Sequence, residues 1–316
     1  MSALAIKLRR VEPAILMVVA LTVLIIAVGF FVNERFGTAR NFLNVFEQAA
    51  PLGFVALGQT FAVLVGGIDL SIGSVVTASN VMLAGLVNGN DAMMIPALFV
   101  VLAFGAAFGF MNGWITVTTG VHPLIVTLGT ASVLQGLVLL YTLQPTGSVP
   151  FWFEEFAYGR VMGIPISGVV LIVCFVAVGW FLKYRSTGRA VYAVGGNPEA
   201  ARLSGIRNNR ITIMAYGASG FFAALAGAYF VSRTGVGDPR VGDPFTLASI
   251  TPVIVGGCLL GGGRGNVAGV LLGVAMISLL NNLLNYMNTS TFLQWVIQGL
   301  IIIVAVAVYV DRSKKL

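Results

Sequence analysis

Apolar residues along this chain gather in long runs, separated by short stretches that hold most of the charge. Ten runs reach or approach the length of a membrane-spanning helix: 13–32, 50–66, 70–88, 93–117, 122–142, 166–183, 210–232, 246–260, 266–287 and 291–310. Crossing the hydrocarbon takes about 20 mostly apolar residues. Lipid offers the backbone no hydrogen-bond partner, so each run must close its own bonds as a helix. None alternates polar and apolar positions as the strands of a membrane barrel do. The pattern predicts an all-α, polytopic membrane protein of about ten transmembrane helices. Residues 1–316 read as one transmembrane domain that contains a cytoplasmic loop at 184–209.

Composition sharpens this. Hydrophobic residues make up 58% of the chain and charged residues 9%, against about 25% charged in soluble proteins. A cytoplasmic enzyme, a secreted scaffold and a disordered chain are therefore excluded. The net charge of +7 invites a nucleic-acid partner, but the basic residues sit in loops between apolar runs. With ten crossings, Lys7, Arg9, Arg10, Lys183, Arg185, Arg189, Arg202, Arg207, Arg210, Arg264, Arg312, Lys314 and Lys315 share one side. Arg35, Arg40, Arg160, Arg233 and Arg240 fall on the other. The richer side is expected to be cytoplasmic, with both termini on it. The run 13–32 is too long for a signal peptide and lacks a closing cleavage site, so it reads as a retained first helix. Cys174 and Cys258 each lie in an apolar run, where no disulfide is expected.

Little here carries enzyme chemistry. No lysine follows a glycine, so there is no phosphate-binding P-loop. One histidine, His122, and two separated cysteines supply no metal set, and neither metal nor cofactor is expected. His122, beside Pro123, reads as a residue capping a helix at the membrane edge.

Asp69 stands out in VLVGGIDLSIGSVV, an acid between two apolar runs. At bilayer depth such a group costs about 2.5–3.5 kcal/mol on insertion scales. Two compatible roles remain open. With Ser71 it would cap the third helix, or it would line a solute path. Amides inside the spans also need partners, among them Gln59, Asn112, Gln294 and Gln298. Asn281, Asn282 and Asn285 form a cluster there, and Asn281 and Asn282 are expected near a path.

Glycine pairs such as Gly105 and Gly109, Gly217 and Gly220, and Gly269 and Gly273 suit close helix crossings. The clusters Gly66–Gly67 and Gly256–Gly257 with Gly261–Gly263 interrupt spans instead, and broken helices occur at membrane depth only where protein or a cavity covers them. The halves 50–142 and 210–310 start on opposite sides, the arrangement of an inverted repeat. In the loop 184–209, Asn197 suits a helix N-cap, Pro198 the first turn, Glu199 the positive helix end and Gly205 the stop. A two-turn helix is marginal alone and must be braced, by this chain or by a partner. Ala200 and Ala201 would let a partner approach closely, and Arg202 and Arg207 would add charge contacts; the other reading is a basic loop lying on anionic lipid. On the other side, 143–165 with Phe151, Trp152, Phe153, Phe156 and Tyr158 reads as an interfacial aromatic helix or as a gate or docking surface for an external partner. The segment 234–245, with Asp238, Arg240 and Asp243, is a candidate docking surface.

Four stretches together carry a family likeness: GGIDLSIGSV (66–75), HPLIVTLGT (122–130), residues 188–206, which end in AVGGNPEAARLSGI, and DPFTLASITPVIVGGCLLGGGRG (243–265). With them the chain resembles the permease subunits of ribose-type ABC importers, within the sugar and branched-chain amino acid permease family. The resemblance implies a type II ABC importer permease-like fold in the bacterial inner membrane, and a solute path for a monosaccharide. It implies cytoplasmic ABC ATPase subunits, a second permease copy, identical or a sibling, and a periplasmic substrate-binding protein. ATP hydrolysis would then lie on a separate subunit and not on this chain. The family's coupling loop maps onto Gly195, Gly196, Asn197, Ala200, Ala201 and Gly205. The family's usual Thr-Ser pair after the second Gly-Gly is replaced by Cys258 and Leu259. Rival readings are an ion-coupled secondary transporter, a channel, or a permease for a branched-chain amino acid, a nucleoside or a signalling furanose.

Overall fold

The computed structural model describes residues 13–309, and within them the chain is almost wholly helical. The first five long helices are α1 (Pro13–Val32), α2 (Ala39–Leu64), α3 (Ile72–Val87), α4 (Met94–Thr119) and α5 (Pro123–Tyr141). Then come a short α6 (Glu155–Tyr158), α7 (Ile166–Tyr184), α8 (Ser186–Gly196), α9 (Pro198–Leu203) and α10 (Asn208–Thr234). The last described elements are α11 (Phe245–Ala248), α12 (Ile250–Val255), α13 (Val267–Tyr286) and α14 (Thr291–Tyr309). Among the described residues, five helical segments are long and apolar enough to cross a membrane: Asp91–Thr119, Pro123–Tyr141, Ile166–Tyr184, Asn208–Thr234 and Val267–Tyr286. The tail residues Lys7, Arg9, Arg10, Arg312, Lys314 and Lys315, and so the side on which the termini lie, are outside the described residues.

Local chemistry sets the helix ends. Thr38, Asn266 and His122 each accept a backbone N–H of the first turn, so His122 is a capping residue. Gly120 and Gly235 stop α4 and α10 in the left-handed conformation.

Four expectations need correction. The second helix begins at Ala39, capped by Thr38, rather than near 50; its first turns carry Asn41, Asn44, Glu47 and Gln48, which hide it from a search for apolar runs. Protein contacts, not lipid, cover much of that polar end. Pro51 inside it cannot donate to the carbonyl of Glu47, and the Tyr229 hydroxyl donates to that carbonyl instead (3.2 Å). The eighth run is not one helix. Residues Phe245–Val255 form two short pieces spanning about 16 Å at 1.5 Å per residue. Beyond them Gly257, Gly262 and Gly263 take positive φ and turn the chain back into α13. The loop 184–209 contains a further helix, α8. Finally, 143–165 is no single helix. It holds a 3-10 turn (Phe151–Glu154), α6 and a two-stranded hairpin, β1 (Arg160–Val161) with β2 (Ile164–Pro165). Phe153 and Phe156 fold inward, Phe156 against Tyr229, while Phe151 stays exposed.

The segments separate into two ends. At the loop end, Thr146 bridges Gly237, Gly89 N–H donates to Ser148 O, and Phe36 of the α1–α2 connection meets Tyr286. At the junction end, 65–71, the end of α8 and 256–266 come together. The central helix is α10, packed against α2, α3 and α4. Its approach to α4 depends on glycine. A side chain at Gly105, Gly109 or Gly220 would run into the facing backbone. Gly269 and Gly273 do the same for α13 against Gly256 and Pro252.

This geometry predicts opposite outcomes for one substitution at two helical sites. Gly109→Ala meets the carbonyl of Tyr216 and should lower stability by about 1–3 kcal/mol. Gly129→Ala on α5 meets open space and should be neutral or stabilising by up to about 1 kcal/mol. Thermal unfolding of the purified chain in detergent measures both, and equal effects would contradict the crossing described.

Candidate functional site

The break between α2 and α3 is built around Asp69, which is 1% exposed. Asp69 is not the cap of α3. The helix starts at Ile72 with Ser71 before it, and Asp69 stands two residues further back. Its Oδ1 accepts the Ser71 N–H (2.9 Å) and the Ser71 hydroxyl (2.6 Å), and its Oδ2 accepts the Ser219 hydroxyl (2.7 Å). Ser71 Oγ in turn accepts Asn112 Nδ2 (2.8 Å). Thr127 Oγ1 accepts Leu70 N–H (3.1 Å) and donates to Ile68 O (3.2 Å). Side chains from α4, α5 and α10 thus satisfy a non-helical segment buried inside the fold, where backbone polar groups need protein partners. No salt bridge reaches Asp69 among the described residues.

A second centre lies at the junction end. Leu64 closes α2, and its carbonyl accepts the N–H of Gly263 (2.9 Å). Gly195 of α8 lies so close to this pair that a Cβ on it would overlap the Leu64 carbonyl, and Gly262 sits against Gly66 and Gly195. Gly66, Gly262 and Gly263 all take positive φ, which side chains other than glycine rarely adopt. Three backbones therefore meet at a point: the end of α2, the end of α8 and the turn after α12. Gly195, half-buried, belongs to this contact, whereas Gly196 lies against Gly263 and stays exposed. Cys258 and Leu259 belong to the same turn. Their N–H groups donate to Val253 O and Arg264 O, so the turn closes through backbone bonds at both positions.

Immediately beyond, α9 follows the expected design. Asn197 Oδ1 accepts Ala200 N–H (3.0 Å), Pro198 starts the helix and Gly205 has φ +81°. The chain itself braces it: Asn208 Nδ2 donates to Pro198 O (2.7 Å) and Ile206 N–H to Ala201 O (3.0 Å). Ala201 is 3% exposed and packs into the core, so, contrary to expectation, it is not open to a partner. The outward face consists of Pro198, Glu199, Ala200, Arg202 and Leu203, with Leu203 74% exposed. Glu199 and Arg202 pair across one turn (2.6 Å), and this bond holds the Glu199 carboxyl below its ordinary range. Leu203 is an addition to the expected set. It carries no charge or capping signal in sequence, although it shares a helix face with Glu199 and Ala200.

Towards the loop end, a cavity of about 450 Å³ opens between α2, α10, α11, α13 and α14. Gln48, Asn281, Asn282, Asn285, Gln294 and Gln298 line it, with Arg233 and Trp295. Asn282 and Asn41 exchange amide bonds (2.9 and 3.1 Å). Gln298 donates to Asn281 (3.0 Å) and Gln294 to Asn285 (2.8 Å), joining α14 to α13. No carboxylate lines the cavity among the described residues. Asn281 and Asn282 are therefore at a cavity wall, whereas Asp69 and Ser71 are buried elsewhere; the four do not form one site. Gln48 and Arg233 join the wall only through the fold, and no spacing in sequence links them to it.

The segment 234–245 is fastened to the body. Asn80 Oδ1 accepts Asp238 N–H (2.6 Å), Gln135 Nε2 donates to Pro239 O (2.9 Å) and Thr77 Oγ1 accepts Gly242 N–H (3.0 Å). Asp238 is half-buried and accepts Arg240 N–H (2.9 Å), while Arg240 and Asp243 are exposed.

The family model described as branched-chain amino acid transport system / permease component matches residues 41–306. The ribose import permease protein of Bacillus subtilis is 39% identical over 302 residues, covering 93% of this chain and 91% of that protein. The D-allose transport system permease protein of Escherichia coli is 34% identical, covering 91% and 88%. The fructose import permease protein of Rhizobium meliloti is 33% identical, covering 94% and 85%. No solved structure matches the chain significantly.

The Asp69 node predicts a graded loss. Ser219→Ala removes one of three bonds to the carboxylate, whereas Asp69→Ala strands the Ser71 and Ser219 donors. Each donor left buried without a partner should cost about 1–3 kcal/mol. Thermal unfolding in detergent would rank wild type above Ser219→Ala and that above Asp69→Ala; an Asp69→Ala chain as stable as wild type would remove the node's role.

Proposed function

The chain belongs to the family of branched-chain amino acid transport system permease components, and from that premise we propose that it is the membrane-spanning subunit of an ATP-driven importer for a monosaccharide. The named substrates of its relatives, ribose, allose and fructose, support the solute class. The observation that carries the reading is the cavity wall. Amides donate and accept, as sugar hydroxyls do, and Trp295 offers an apolar face. Apart from Arg233, the polar side chains among the described lining residues are neutral, which suits a neutral polyol.

In this reading the chain crosses the inner membrane ten times as one domain, with both termini in the cytoplasm and halves related as an inverted repeat. The junction end faces the cytoplasm, in accord with its basic loop. Two permease copies flank the path, and cytoplasmic ATPase subunits hold the outward face of α9, with residues 184–209 as the coupling loop. A periplasmic binding protein docks at the loop end, where Arg240 and Asp243 are exposed and Asp238 shapes the turn. Asn281 and Asn282 touch the solute, while Asp69 and Ser71 hold the break that flanks its route.

The coupling has a physical course. ATPase closure pushes α9, which continues directly from Gly195 and Gly196. That push arrives at the ends of α2 and α12 through backbone contacts with no flexible side chain between them. α2 then runs to the cavity, where Gln48 and Leu52 form part of the wall. Displacing the junction therefore moves the wall.

Reconstitution with the ATPase and binding protein tests this. Uptake of labelled ribose, allose or fructose is expected only with ATP and the ATPase present; uptake by the chain alone on an ion gradient would overturn the reading. Ala200→Trp and Leu203→Asp should abolish ATP-driven uptake with normal membrane insertion. Ala201→Trp should instead lower the folded yield, because that side chain is interior. Asn281→Leu removes a cavity amide and should reduce uptake about tenfold, the equivalent of one hydrogen bond of about 1.5 kcal/mol.

A further inference from the structure

A second concavity lies on the flank of the molecule, away from the amide-lined cavity. It is a groove of about 420 Å³ between α2, α4, α7, α8 and α10. Its walls are Phe61, Phe110, Phe181, Met214, Ala218 and Phe221, and the hydroxyl of Thr187 on α8 is the polar side-chain group among its lining residues. Small residues give it depth: Gly217 lets the Phe110 ring lie directly on α10. Met214, Phe110 and Phe221 remain partly exposed, so the groove is open along its length.

Its position relative to charge sets it apart from an ordinary lipid-facing crevice. Met214, Ala218 and Phe221 form one stripe of α10, and one turn before Met214 the same stripe carries Arg210, which is exposed. Phe181 is in the last turn of α7, and Arg185 ends that helix, two residues before Thr187, with its guanidinium over Trp180 at 4.7 Å. Lys183, Arg189 and Arg207 are exposed in the same stretch. The one acid between 183 and 210, Glu199, is already paired with Arg202. The groove is therefore apolar along its length, and the chain that continues its α7 and α10 walls toward the junction end carries exposed cations with no salt bridge among the described residues save that of Arg202.

We propose that this groove is a binding site for one anionic phospholipid, with an acyl chain along the α10 stripe and the phosphate between Arg185 and Arg210. An amphiphile with a negative head and an apolar tail matches both parts, whereas a zwitterionic lipid matches the tail alone. The bound lipid would tie α8 to α10 immediately before the junction. The inference concerns lipid retention and stands whether or not the chain imports a sugar.

Native mass spectrometry of the delipidated full chain in detergent tests it, with phosphatidylglycerol and phosphatidylcholine of identical acyl chains as probes. Wild type should retain phosphatidylglycerol roughly thirtyfold better, as two arginines near an anionic head imply. R185Q/R210Q, both at exposed positions, should bind the two lipids equally. A218W, which fills the groove, should reduce retention of both. Glycerol phosphate, a head without a tail, should displace neither. Equal retention by wild type, an unchanged preference in R185Q/R210Q, undiminished retention by A218W or displacement by glycerol phosphate would each overturn the proposal. Should A218W fail to fold, the R185Q/R210Q preference decides it.

Discussion

Every backbone N–H and C=O inside a bilayer needs a partner from the protein, and this requirement governs the places where the chain leaves helical form. Two such places, 65–71 and 256–266, are satisfied each in its own way. Side chains do it at the first: Asp69, Ser71, Asn112, Thr127 and Ser219 bond one another and the open backbone. Backbone does it at the second, where Gly263 donates to Leu64 and the N–H groups of Cys258 and Leu259 donate to Val253 and Arg264. The two solutions meet at Gly195. Residues that look separate along the chain are thereby joined into one body that links the short helix α9 to the ends of two buried elements.

Much of the fold is legible in the sequence because lipid imposes a simple code. Long apolar runs mark the positions of most helices within a few residues. The code fails where protein, not lipid, is the neighbour. The first turns of α2 carry Asn41, Glu47 and Gln48 and read as a loop, although packing and the amide pair with Asn282 make them helical. α8 escapes the code for a related reason. Its arginines and terminal glycines resemble a linker, yet the glycines are there to let α8 reach the junction.

The candidate sites divide in the same way. The caps of α9 are readable because Asn197, Pro198 and Gly205 act on their immediate neighbours. Which face of α9 turns outward is not, since that depends on what Ala201 meets across the fold. Lone amides in α13 point to a polar environment. Their partners Gln298 and Asn41, and Arg233 beside them, come together only through tertiary packing. Asp69 is conspicuous by its charge, but its role as an anchor of a turn needs Ser219, 150 residues away, to become visible.

The wall of the amide-lined cavity has an electrical consequence. Moving one elementary charge through a membrane potential involves about 2.3 kcal/mol per 100 mV. A neutral sugar, the proposed cargo, would carry none, and no carboxylate lines the wall among the described residues. The voltage across the membrane therefore does no work on such a cargo in either direction. How far it is concentrated would depend on nucleotide hydrolysis alone, and depolarising the cell would leave the accumulation ratio unchanged as long as ATP is held constant.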